Sequence, residues 1–298
     1  MRYIDISDFE VTFNRLNADT TFKDWLDVAN QHLENIKTLD TKGRSDYWSK
    51  NNHWKALYST LSELSGHKCW YSESPENSSE WEIEHYRPKA QSKDESGVVI
   101  RDDGYWWLSF HWKNFRLAGS LVNKLRKDRF ENGTEVYGKG NYFPLNQDSL
   151  IAQPDDFICN CESPLLIDPV NPNDVTLISF DSNGDVYPTY SAEENLINNT
   201  KAILSIKFYG LDHTPIQRSR NKIWQKCDTI IETANNYIKH HNPTQLQVNS
   251  KISECYFELV NLTKKTEPYT MVVKCFIKEK SKDKDNYPWL ENINAVLQ

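Results

Sequence analysis

The chain lacks several features that would place it in a specialised class. No apolar run approaches the roughly 18 residues that a membrane-spanning helix needs. The opening MRYIDISDFE carries acids where a secretory leader carries a basic and then an apolar stretch. Cysteine is sparse: 6 in 298 residues, at 69, 159, 161, 227, 255 and 275. They lack the dense spacing of a disulfide framework, so reduced thiols and a cytoplasmic location are expected. No G-x-x-x-x-G-K-[ST] occurs, so the chain carries no phosphate-binding P-loop of its own. Internal repeats are also missing. Basic residues are in deficit, 35 Lys and Arg against 42 Asp and Glu for a net charge of −7. That is not the balance of a stand-alone DNA-binding protein. Membrane, secreted and fibrous classes are excluded, and a globular protein is expected.

What the chain has is aromatic mass. With 38% hydrophobic residues it is more polar than average, but 10 Trp, 15 Tyr and 12 Phe supply large buried area per residue. The length suits one large domain or two modest ones. Helices are expected over 21–39 and 45–66, the second with a stripe at Trp54, Leu57, Leu61 and Leu64 and a C-cap at Gly66. EWEIEH (80–85) alternates as a half-buried strand does. A polar Pro- and Gly-containing stretch follows, then a strand from Asn114 through FRLA (115–118) and a short helix around 120–130. Asn132-Gly133 and Gly138 mark the way out. Residues 151–190 read as an irregular connector with a short hairpin near 176–187, and helices are expected over 191–209, 214–240 and 244–263. Thr214-Pro215 opens the middle one as an N-cap followed by proline.

Charge is uneven along the chain. Lys113, Arg116, Lys124, Arg126, Lys127 and Arg129 face Asp128 alone, and Lys201, Lys207, Arg218, Arg220, Lys222 and Lys226 face Asp212 alone. Either run can be a solvated helix face or a phosphate-docking surface. Chemistry-bearing residues fall in a definite order: Glu84-His85 at the end of a strand, a polar loop, Asn114 opening a second strand, then Asn123 on a short helix.

In that order and context the sequence resembles the HNH nucleases, whose core is a β-hairpin and helix clasping one metal ion. Among them it is most similar to the HNH subunits of Septu-type and retron-associated antiphage systems. KCWYSES (68–74), IEHYRPK (83–89), YWWLSFHWKN (105–114), Asn123-Lys124 and YFPL (142–145) carry the resemblance. LLIDPVNPND (165–174), NGDVYP (183–188) and SIKFYGLD (205–212) extend it, so that it covers about residues 45–230. It implies an α+β fold with a small ββα-metal core at 67–150, between an N-terminal helical segment (1–66) and a connector with a C-terminal helical domain (151–298).

The resemblance also implies roles. His85 would act as general base, since a neutral imidazole can accept a proton from the attacking water. Glu84 and Asn123 would hold Mg²⁺ (or Mn²⁺) through hard oxygen ligands. Asn114 would brace the loop that aims His85. Arg87, Lys124, Arg126 and Lys127 would contact substrate phosphates. Strict strand alternation puts Glu84 and His85 on opposite faces, so the strand must end or bend there, as Pro88 permits.

The departures from the family pattern are equally specific. The positions that carry two Cys-x-x-Cys pairs in relatives are Cys69, Ser72, Gly119 and Val122, and one thiol cannot close a tetrahedral zinc site, so no structural zinc is expected. The third motif position is Asn123 where the family name has histidine, which favours Mg²⁺ over softer metals. His111 stands where an acid is commoner. The implied activity is DNA endonuclease in a defence complex with an SMC-like or ABC-like ATPase partner. Two alternatives remain open: an RNA (for example tRNA) endonuclease with the same site, and a helical scaffold whose nuclease core has decayed.

Overall fold

The computed structural model describes residues 1–75, 81–124, 126–127 and 136–290. The N-terminal part is helical: α1 (Phe9–Leu16), α2 (Phe22–Lys37), α3 (Thr41–Lys50), a 3₁₀ turn at His53–Leu57 and α4 (Tyr58–Ser65). Local chemistry sets these boundaries. Thr21 caps α2 reciprocally with Asp24, each side chain accepting from the other's backbone N–H. Gly66 ends α4 at φ +67°, where an added Cβ would lie 2.4 Å from the Lys265 carbonyl oxygen. The single helix expected over 45–66 is in fact α3, the 3₁₀ turn and α4. Its stripe survives the interruption because 54 and 57 are one turn apart in a 3₁₀ helix as well.

The central part contains two-stranded antiparallel sheets. Strand β1 (Trp81–His85) is followed by β2 (Ser92–Lys93), β3 (Val99–Arg101) and 3₁₀ turns at Trp106–Leu108 and Trp112–Asn114. Then come β4 (Phe115–Gly119), the short helix α5 (Ser120–Asn123), β5 (Arg126–Lys127) and β6 (Val136–Tyr137). β1 pairs with β4, with Glu84 opposite Arg116 and His85 opposite Phe115, and α5 packs on both strands. β2 pairs with β3 and β5 with β6. The Asn132-Gly133 turn lies outside the described residues.

Beyond the irregular connector, β7 (Ile178–Phe180) and β8 (Val186–Pro188) form the expected hairpin. The helices α6 (Leu196–Tyr209), α7 (Thr214–His240), α8 (Gln245–Leu262) and α9 (Thr270–Lys280) complete the fold. α7 covers the expected 214–240, but its N-cap is His213 rather than Thr214, which places Thr214 and Pro215 in the first turn. α7 packs against α8 and α9, and α9 against β7. The chain is thus a mixed α/β fold, small two-stranded sheets amid mostly helical structure. One buried cluster runs from Met1 to Leu290 through all three parts. No helix of the described residues is long and apolar enough to cross a membrane.

Two ion pairs fix the hairpin within this core. Arg116 on β4 makes a bidentate contact with Asp168, both nitrogen–oxygen distances being 2.7 Å. Arg87 donates to Glu162 at 2.8 Å with its guanidinium among Tyr86, Tyr105 and Phe143. Arg116, which charge counting groups with docking cations, is therefore a core residue. So is Arg220, buried with Nη1 donating to the Leu211 carbonyl at 2.7 Å.

Candidate functional site

A cavity of about 270 Å³ opens where β1 ends, lined among others by Glu84, His85, Lys89, Gln91, Asn123 and Asn141. Three of the expected site residues thus meet in one place. Alternation along β1 would separate Glu84 from His85, but the strand stops at His85, and both residues line the cavity.

His85 is held by its surroundings more than by solvent. Its Nε2 lies 3.0 Å from the Ser109 carbonyl oxygen, and its ring meets Trp54 and Phe115 edge-on at 5.1 and 5.0 Å. A carbonyl only accepts, so Nε2 carries the proton and Nδ1 keeps the lone pair. Burial, reinforced by the Lys89 and Lys139 charges, holds the imidazole well below the ordinary histidine range, so it is neutral at pH 7.

Glu84 is buried and engaged at both oxygens. Tyr71 donates its hydroxyl to Oε2 at 2.6 Å, and the Lys139 ammonium forms an ion pair with Oε1 at 2.5 Å. Lys139 is itself fully buried and donates to the His85 carbonyl at 3.1 Å. Burial lowers its pKa against the opposing pull of Glu84. Asn123 donates its amide nitrogen to Glu82 Oε2 at 2.8 Å, which assigns its carbonyl oxygen as the free end of the amide.

Asn114 does not line the cavity. Its side chain accepts from the Arg87 N–H at 2.8 Å and donates to the Arg87 carbonyl at 3.0 Å and the Leu108 carbonyl at 3.3 Å. It therefore ties the segment after His85 to the start of β4. The four cations nominated from sequence divide sharply. Arg87 is committed to Glu162, its side chain 15% exposed, and stands outside the cavity lining. Lys124 is exposed and paired with Glu82 at 2.5 Å. Arg126 and Lys127 form β5, paired with Tyr137 and Val136; their backbone alone is described.

Sequence reasoning missed Lys139, Lys89, Tyr71 and Trp54. Lys139 had a local signal, a lysine between Gly138 and Gly140 just before YFPL. Lys89 lies within IEHYRPK. Trp54 is visible only as part of an apolar stripe, yet its ring touches His85 and lies 4.8 Å from Lys89 Nζ.

In residue type, Glu84 and Asn123 suit a hard divalent cation: one carboxylate and one amide oxygen leave positions for water and phosphate, as Mg²⁺ prefers. The carboxylate is nevertheless already shared with Lys139 and Tyr71, which limits what it has left to offer a cation. Among the described residues, no group of three or more His, Cys, Asp or Glu side chains is placed to hold a metal. Cys69 is a buried thiol whose sulfur accepts from the Gly119 N–H at 3.3 Å. His111 packs against Phe157 at 5.5 Å, away from the cavity lining.

No protein-family model matches the chain. It is 26% identical over 170 residues to the Septu protein PtuB of Bacillus mycoides (strain KBAB4), covering 57% of this chain and 51% of that protein. The chain thus spans about half the length of this curated relative, a distant similarity.

Proposed function

We propose that the protein is a divalent-metal-assisted HNH-type endonuclease cutting DNA, and that it serves as the nuclease subunit of a Septu-type defence complex with an SMC-like or ABC-like ATPase. The observation that carries this reading is the joint lining of one cavity by Glu84, His85 and Asn123, with the imidazole neutral and its Nδ1 unprotonated. The strand–strand–helix order of β1, β4 and α5 supports it, as does the distant similarity to the Septu protein.

In this reading His85 Nδ1 takes the proton of the attacking water, while Nε2 stays on the Ser109 carbonyl and keeps the ring aimed. Asn114 holds the Arg87 backbone and so fixes where β1 ends. Glu84 and Asn123 would hold the divalent ion, which when bound supplies positive charge to the scissile phosphate and the departing oxygen. Trp54 and Phe115 exclude bulk water from the imidazole.

Supercoiled-plasmid nicking with Mg²⁺ tests this reading, using wild type and His85→Ala, each with and without the neighbouring gene product. Loss of the general base lowers the rate by about 10²–10⁴. An unchanged rate removes His85 from the chemistry. A second reading, a decayed nuclease acting as an interaction subunit, is favoured by one observation, the saturation of Glu84 by Lys139 and Tyr71. It predicts no cleavage of DNA or RNA under any divalent ion or partner condition.

A further inference from the structure

The charges around the cavity do not cancel. Glu84 is its buried carboxylate, and Lys139 already neutralises it at 2.5 Å. Glu82, outside the lining, is occupied by Lys124 and by the Asn123 amide. His85 is neutral. Lys89 remains, a second ammonium lining the same space; it feels the Glu84 charge but forms no ion pair with it, and its Nζ lies over the faces of Trp54 at 4.8 Å and Trp48 at 5.8 Å. Arg87, Arg116 and Lys124 each sit on a carboxylate within 2.8 Å. Lys89 has no carboxylate of the described residues within ion-pair distance, so a desolvated cation faces an open cavity with aromatic carbon as its support.

Its placement is rigid. Asn114 grips both backbone groups of Arg87, and the Pro88 carbonyl accepts from the Tyr105 N–H at 2.8 Å. Gly104, at φ +57°, lets the chain pass so close that a Cβ there would lie 2.6–2.7 Å from the backbone of Lys89 and Ala90. The ammonium at the end of this fixed backbone lies over the two indole rings. Burial draws its pKa down to about 8, so it is still mainly charged at neutral pH.

We propose that Lys89 makes this cavity a binding site for a phosphodiester of a nucleic-acid backbone, and that this binding does not require a divalent cation. The site deepens the nuclease reading by naming what holds the substrate beside His85. Because Lys139 cancels Glu84, the incoming phosphate meets no uncompensated carboxylate. Lys89 thereby takes the role that the resemblance implies for Arg87, whose guanidinium faces Glu162 instead.

The test is fluorescence anisotropy in EDTA with full-length protein and labelled single-stranded and duplex oligonucleotides of one sequence, made as DNA and as RNA. Wild type binds at least one of them, Lys89→Arg retains that binding, and Lys89→Gln weakens it by about tenfold. The slope of log affinity against log salt falls by about one phosphate contact in Lys89→Gln. Which polymer is retained identifies the source of the phosphodiester. Wild-type binding that appears only with Mg²⁺, or Lys89→Gln binding within twofold of wild type, overturns the site. If Lys89→Gln does not fold, wild type is titrated with an uncharged methylphosphonate oligonucleotide, and undiminished affinity for it overturns the proposal. Lys89-dependent binding without cleavage under any divalent ion upholds the site and removes the nuclease reading. Mg²⁺-dependent cleavage with unchanged KM in Lys89→Gln does the reverse.

Discussion

Replacing Lys139 by methionine removes the cation beneath Glu84 while keeping the length of the stem. Lys139 is fully buried, its Nζ 2.5 Å from Glu84 Oε1 and 3.1 Å from the His85 carbonyl. At an effective dielectric of about 20, unit charges at that separation attract by roughly 7 kcal/mol, and the desolvation of both groups takes back most of it. The substitution leaves a carboxylate, 3% exposed, with the Tyr71 hydroxyl as its remaining partner. The loss is therefore set by an uncompensated buried charge, about 3–5 kcal/mol, or about 6–10 °C in Tm for a chain of this size. Glu84→Gln alone strands the ammonium instead and costs a similar amount. The double variant strands neither, so it lies within about 2 kcal/mol of wild type, and the cycle shows a coupling of about 3 kcal/mol or more. Urea unfolding followed by tryptophan fluorescence and circular dichroism measures all four proteins. A double variant that costs the sum of the singles, or a Lys139→Met loss below about 1 kcal/mol, refutes the argument.

Acid lability should also trace to buried neutral histidine. Burial first, then the Lys113 and Arg116 charges, hold His111 down to about 4, against 6.5 when unfolded. Below 6.5 the unfolded chain takes up a proton that the folded one refuses. The stability from His111 is thus complete above pH 6.5 and drains away towards pH 4, by at most about 3 kcal/mol. His85 is shifted in the same direction and adds to the slope. Urea midpoints between pH 7 and 4.5 should flatten in part in His111→Phe, and an undiminished slope counts against the assignment. Asn114→Ala removes three side-chain hydrogen bonds and leaves the Arg87 N–H unpaired. It should cost about 2–4 kcal/mol and lower cleavage without altering the metal midpoint, and a shifted midpoint would mean that Asn114 touches the ion.

The features legible in the sequence are those with a local signature. The alternation of EWEIEH marks β1, and Gly66 marks the end of α4 as its C-cap. Glu84, His85 and Asn123 could be grouped because a hairpin and one helical turn bring them together over short reach. Partners supplied from far along the chain were not legible. Glu162 and Asp168 turn Arg87 and Arg116 from docking cations into core ion pairs, and a count of charges cannot tell which cations have such partners. Lys139 reaches Glu84 only through the return of the chain after β6. Helices α1 and α9 passed unnoticed: they are short, and their helicity rests on packing more than on propensity.

The same distinction between local and distant charge resolves how an acidic chain could hold a polyanion. At physiological salt, exposed charges more than about 8 Å apart are largely screened from one another. A net charge of −7 spread over the surface therefore weighs little against a cavity whose nearest groups are Lys89 and a Glu84–Lys139 pair. What the acidic surface does remove is long-range steering, which needs a field of one sign extending into solvent. Lys89 can hold a phosphate that has arrived but cannot gather one from a distance. Free protein should then associate slowly and bind weakly, and the proposed ATPase partner would supply the capture that this surface lacks.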